Sequence, residues 1–145
     1  MSRVQLALNV SNLEEAAAFY TKLFQTQPAK TRPGYANFAI AEPPLKLVLF
    51  ENPAAAGTLN HLGVEVTSTA EVVSATRRLA AEGLPTAVED HVSCCHALQD
   101  KVWVHGADTR WEVYTVLADA PEAGADCSCV DGDVEAQGCC GTTTA

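Results

Sequence analysis

Long apolar runs are missing from this 145-residue chain: no stretch approaches the roughly 20 residues needed to span a bilayer. Basic side chains are scarce as well, with nine Lys and Arg against eighteen Asp and Glu. All nine bases fall within residues 1–117 beside twelve of the acids, and none follows Arg110. The body of the chain is therefore only mildly acidic, and no basic stripe exists to hold nucleic acid. Charged residues are only 19% of the chain and hydrophobic ones 48%, which excludes a wholly disordered polymer. Met1-Ser2-Arg3 leads straight into an alternating segment without a signal peptide, so a cytoplasmic, thiol-reducing setting is expected. The length suits one compact domain.

What is present is a repeated pattern. Arg3 to Val10 alternates, with Val4, Leu6, Leu8 and Val10 on one face and Gln5, Ala7 and Asn9 on the other. Ser11-Asn12-Leu13-Glu14 reads as a capping box opening a helix to Phe24. Strands are expected at about 27–31, 36–41 and 45–50, broken by Pro33-Gly34 and Pro43-Pro44. The order then restarts. Asn60 to Val66 alternates, Ser68-Thr69-Ala70-Glu71 is a second capping box, and Gly83 stands where a helix should stop. Further strands are expected at about 86–91, 101–105 and 110–117. The fold class is α+β: two β-α-β-β-β modules, about 3–50 and 59–117, forming a cupped mixed sheet. Residues 118–145, acidic and without periodicity, are expected to be a flexible tail.

That order of elements resembles the vicinal oxygen chelate superfamily, which implies a metal site inside the cup. Gln5 and His61 occupy matched positions on the face turned away from the helices. Glu112, on the last strand, shares a face with Tyr114 and Val116, and a carboxylate in such a strand needs a partner. The first module's counterpart of Glu112 falls near Leu47, which cannot ligate. Gln5, His61 and Glu112 then form a three-ligand set with open positions, resembling a facial triad for Fe(II) with an amide in place of one imidazole. An isolated His or Gln on a strand would carry no such weight.

Six cysteines include the adjacent pair Cys94-Cys95. Neighbouring side chains in an extended strand point apart, so a turn is needed to bring both sulfurs onto one target. Thiophilic targets fit: Cu(I), Zn, Cd or trivalent arsenic. With an arsenical bearing one carbon substituent, two arsenic valences remain for two sulfurs. Two buried small hydrophobes would be the plainer reading of the pair alone. His96, Asp100 and Lys101 follow closely; Lys101 reads most simply as a solvated strand-end lysine, and His91 and His105 as structural or surface residues. In the tail, Cys127, Cys129, Cys139 and Cys140 offer soft-metal capture.

Four runs together carry a closer resemblance: Tyr35-Ala36-Asn37-Phe38-Ala39-Ile40, Leu59-Asn60-His61-Leu62-Gly63-Val64-Glu65, Cys94-Cys95 with Gln99-Asp100-Lys101-Val102-Trp103-Val104, and Arg110-Trp111-Glu112-Val113-Tyr114. The chain resembles the carbon–arsenic lyases of bacterial arsenic-resistance operons and the related cadmium-induced proteins of actinobacteria. The resemblance implies an Fe(II)-dependent dioxygenase that cleaves the carbon–arsenic bond of trivalent methyl- or aryl-arsenicals. Fe(II) is then the cofactor, and O₂ and the arsenical are the small-molecule partners. The cysteine pair would hold arsenic. A homodimer is compatible with that reading; a membrane or nucleic-acid partner is not expected. The rival reading is a cadmium or metalloid sequestration protein without turnover, which has no need for the internal triad.

Overall fold

The computed structural model describes residues 1–94 and 96–120. β1 (Arg3–Val10), α1 (Leu13–Phe24), β2 (Lys30–Arg32), β3 (Tyr35–Ile40) and β4 (Leu45–Glu51) form the first unit. After a 3-10 turn at Pro53–Ala55 come β5 (Leu59–Glu65), α2 (Thr69–Ala81), β6 (Thr86–Cys94), β7 (Ala97–Gly106) and β8 (Thr109–Asp119). The β-α-β-β-β order thus occurs twice, as the alternation and caps predict. All eight strands join one mixed sheet in the order β2-β3-β4-β1-β5-β8-β7-β6. In each unit the first strand lies parallel to the last, and β1 and β5 pair antiparallel at the centre. The parallel pairings require a crossover, and the helix of each unit is part of it.

Local chemistry explains the helices. Asn12, not Ser11, is the N-cap of α1, its side chain accepting from the Glu15 N–H. Ser68 caps α2 by accepting from the Glu71 N–H, while Glu71 reaches back to the Thr67 N–H. With the first cap shifted to Asn12, the two caps are 56 residues apart, the same separation as Gln5 and His61. The two modules are therefore in closer register than a cap at Ser11 implied. Gly83, at φ 74°, ends α2 in the left-handed conformation that glycine adopts without a Cβ clash.

The sheet has two dressed faces. On the outer face α1 covers Phe38, Ile40, Leu47 and Leu49, joined by Leu6, Leu8 and Val10, while α2 covers Val102 with Val104 and Val113. The inner face carries Ala7, Tyr35, Val48 and Phe50 together with buried Gln5, His61, Lys101, Glu112 and Tyr114. Two differences from the sequence expectation bear on function. β6 and β7 run on to Cys94 and back from Ala97, so Cys94 ends a hairpin strand rather than sitting in a longer loop. A bulge between Glu89 and Val92 makes this possible: His91 adopts φ 52°, and Asp100 Oδ1 takes its N–H at 2.8 Å, letting the pairing resume. At the other end, β8 continues to Asp119.

Candidate metal centre

Three side chains from three strands converge on the inner face. Gln5 Nε2 lies 3.1 Å from His61 Nε2 and 2.8 Å from Glu112 Oε1, and those two atoms are 3.3 Å apart. Register does this. Gly63 of β5 sits opposite Gln5 of β1 and Glu112 of β8, two residues from His61. A Cβ at Gly63 would meet Glu112 Cγ at 3.0 Å and Gln5 Nε2 at 3.3 Å, so the missing side chain is what lets the trio close. By the same register the first module's counterpart of Glu112 is Val48, which pairs with Ala7 and lines the inner cavity. Leu47, the position expected from sequence, faces the helix-side core instead. Alternation shifts the face by one residue, and neither side chain can ligate.

The trio offers an imidazole, a carboxylate and an amide at one point. Asn60 Oδ1 accepts from Arg110 at 3.2 Å and meets His61 Nδ1 at 2.7 Å, so Nδ1 carries the hydrogen and the Nε2 lone pair faces Gln5 and Glu112. Adjacent ligands on an ion with bonds of about 2.1 Å lie about 3 Å apart in an octahedral set; the 2.8–3.3 Å separations match this once the Gln5 amide is turned so that its oxygen takes the place of Gln5 Nε2. Among the described residues, no three of His, Cys, Asp and Glu gather at one point, so a metal here depends on the Gln5 amide as third donor. The residues present fit a divalent cation held by an imidazole, a carboxylate and an amide oxygen.

Charge at the trio is balanced by one buried lysine. Burial alone would raise the Glu112 carboxyl; the Lys101 ammonium 2.7 Å from Oε2 outweighs it and holds the group far below the usual carboxylate range. Lys101 is only 1% exposed, which corrects the expectation of a solvated lysine. Its place follows from period two: Gln99, Lys101 and Trp103 share the inward face of β7, opposite Val116, Tyr114 and Glu112 of β8. That alternation was the missed signal. The Tyr114 hydroxyl donates to Gln5 Oε1 and lies 3.1 Å from Glu65 Oε2. Burial, with the Glu112 and Glu65 charges, pushes the phenol well above its ordinary pKa.

A small cavity of about 60 Å³ adjoins the trio, lined by Gln5, His61, Lys46, Tyr35, Gln99 and Ala97 among others. The hairpin tip borders it. Cys94 is fully buried, its carbonyl accepts from Gln99 Nε2 at 2.9 Å, and its backbone pairs with Ala97. The Cys94 sulfur is in a disulfide here, where free thiols were expected, so a thiolate at this site is its reduced form. His96, at φ 64°, packs its ring 4.9 Å from Tyr35. Asp100 serves the fold, accepting from Thr69 at 2.6 Å and from the His91 N–H. His91 is at the surface, beside Asp100. A larger cavity, about 500 Å³, is lined by Asn60, His61, His105 and Arg110 among others. Cys95 and the tail residues Cys127, Cys129, Cys139 and Cys140 lie outside the described residues.

Residues 3–112 match the Glyoxalase/Bleomycin resistance protein/Dioxygenase superfamily. The chain belongs to this superfamily. Within it, the chain is 59% identical to the cadmium-induced protein CadI of Mycobacterium tuberculosis, over 97% of this chain and 93% of that protein. It is 61% identical to a trivalent organoarsenical cleaving enzyme of Thermomonospora curvata, over 83% of this chain and 81% of that one. Solved structures of the superfamily share the fold. A Mn(II)-bound glyoxalase from Novosphingobium aromaticivorans overlays with a TM-score of 0.57 at 18% identity, over 83% of this chain and 42% of that one. Homoprotocatechuate 2,3-dioxygenase from Arthrobacter globiformis gives 0.58 at 17%, over 82% and 37%. No helix among the described residues is long and apolar enough to cross a membrane.

Proposed function

We propose that this protein is an Fe(II)-dependent dioxygenase that cleaves the carbon–arsenic bond of trivalent methyl- or aryl-arsenicals and releases arsenite. The observation that carries the reading is the adjacency of two different sites: Ala97 and Gln99, the hairpin partners of Cys94, line the same cavity as Gln5 and His61. Gln5, His61 and Glu112 would hold the metal. Fe(II), when bound, supplies a redox-active centre with open positions for O₂, which Zn²⁺ does not. The protein's own residues account for the rest. In the reduced state, Cys94 and Cys95 condense with the two hydroxyls of a hydrated arsenical, forming two As–S bonds and releasing two waters. The third arsenic valence, to carbon, can then be turned toward the Gln5 and His61 wall, where orientation lowers the entropic part of the barrier. Lys101 keeps Glu112 ionised and ready to ligate. Asn60 fixes the imidazole with its Nε2 lone pair inward.

The organoarsenical-cleaving relative at 61% identity supports this reading, and the CadI relative keeps a soft-metal sequestration role as the rival. Sequestration leaves unexplained why a carboxylate, an imidazole and an amide are buried together behind a glycine. The test is oxygen uptake by reduced, anaerobically Fe(II)-loaded protein given a trivalent methyl- or aryl-arsenical. Uptake with release of arsenite is expected. Tight Cd(II) binding with neither uptake nor arsenite would establish the sequestration reading instead.

A further inference from the structure

We propose that Tyr114 is a positioning residue that selects which end of the Gln5 amide faces the metal, by handing its hydroxyl hydrogen to Glu65; the proposal rests on the metal-site reading above. A phenol has one hydrogen to donate and lone pairs to accept with. Two oxygens compete for that hydrogen: Gln5 Oε1, to which Tyr114 donates, and Glu65 Oε2 at 3.1 Å. Glu65 is ion-paired with Lys46 and Arg3, both at 3.2 Å, so its oxygens act as acceptors.

Two arrangements follow from counting donors. In the one seen, the Gln5 NH₂ caps the His61 and Glu112 lone pairs, and the single phenol hydrogen is contested between the Gln5 carbonyl and Glu65 Oε2. With the amide turned by a half-rotation, Tyr114 donates to Glu65 and accepts from the Gln5 NH₂. That end is then fully matched. At the other end three acceptors converge, Gln5 Oε1, His61 Nε2 and Glu112 Oε1, and such a trio is satisfied by a cation. Metal at one end and the Tyr114-to-Glu65 hydrogen bond at the other are therefore two faces of one state. The ring itself is pinned: Tyr114 is 1% exposed, with Lys46 Nζ 5.1 Å and Lys101 Nζ 5.8 Å from its centroid. Only the amide has to turn. Without the hydroxyl, the turned amide buries an NH₂ with no acceptor, a cost that must come out of metal affinity.

The experiment is an anaerobic Co(II) titration of wild type, Y114F, Q5A and the double variant, reading affinity and the Co(II) absorption bands. Y114F should lose about tenfold or more in affinity, with bands shifted toward those of Q5A. In the Q5A background, Y114F should cost almost nothing further. Equal losses in both backgrounds, or unchanged affinity in Y114F, would overturn the assignment. Should Y114F not fold, the wild-type protein answers by NMR. A nuclear Overhauser contact from the Gln5 side-chain NH₂ to the Tyr114 ring should appear on adding Zn(II), and its failure to appear would overturn the proposal. Wild type that bound no Co(II) would defeat the metal reading itself, a distinct result.

Discussion

Glu112 keeps a negative charge on a buried strand face because Lys101 reaches it from the neighbouring strand at 2.7 Å. The pair sets a pH dependence for the metal-free protein. Burial tends to raise the carboxyl, yet Lys101 brings it below its unfolded value. A depressed pKa stabilises the fold above the unfolded pKa of about 4.3, and the contribution fades as pH falls below it. Lys101→Met should reverse the sign: burial then raises the carboxyl, and stability falls as pH rises through the carboxylate range. Near neutral pH the loss should be about 3–5 kcal/mol, the cost of a buried charge stripped of its partner. Urea unfolding of metal-free wild type and variant from about pH 2 to 7 checks both, and parallel profiles would show that Lys101 is not what holds Glu112 ionised. Gln5, His61 and Glu112 were legible in the sequence because each lies inward on a clearly alternating strand. Lys101 was not, since a lysine's partner is a matter of register between strands.

The β6–β7 hairpin is the element in which chemistry and structure were hardest to separate from sequence alone. Val92-Ser93-Cys94-Cys95-His96 lacks the glycine or proline that usually marks a turn, and the bulge at His91 depends on a carboxylate nine residues away. Neither feature has a local signature, so the strands were read as ending too early. The caps and helix stops, which are local, were readable to within a residue. For the tip itself, the expectation is that Cys94 and Cys95 act as a bidentate pair once reduced. Joining two thiols in one turn makes the second As–S bond intramolecular, a gain in effective concentration that one thiol lacks. In protein whose tail cysteines are changed to Ser, either Cys94→Ser or Cys95→Ser should therefore lose nearly as much arsenical affinity as the double change. Titration with a trivalent aryl-arsenical before and after reduction reads this directly. Additive losses, or binding indifferent to reductant, would remove the pair from the substrate site.

Across the whole molecule, the curl of the sheet brings its first edge to the hairpin tip. Lys30 of β2 donates to the His96 carbonyl at 3.0 Å and pairs with Asp119 at the end of β8, while Tyr35 of β3 stacks near the His96 ring. Arg32 adds a second contact to Asp119 at 3.4 Å, and the Ala120 N–H returns to the His96 carbonyl at 2.9 Å. The two modules were readable from their repeated order. This closure was not, because it joins residues up to 89 positions apart and leaves no periodic trace. The last strand, expected to end at about residue 117, runs on to Asp119 and takes part in this closure. A chain cut after Ala120 should fold and keep its metal and arsenical affinities. A chain cut after Ala118 should also fold, since the core clusters and the trio lie upstream, but it loses Asp119 and the Ala120 N–H together. The amides of Ala97 and Leu98 should then exchange faster with deuterium, and arsenical affinity should drop while Co(II) affinity holds. Identical exchange at the tip in the two truncated chains would mean that the hairpin is held by β6–β7 pairing alone.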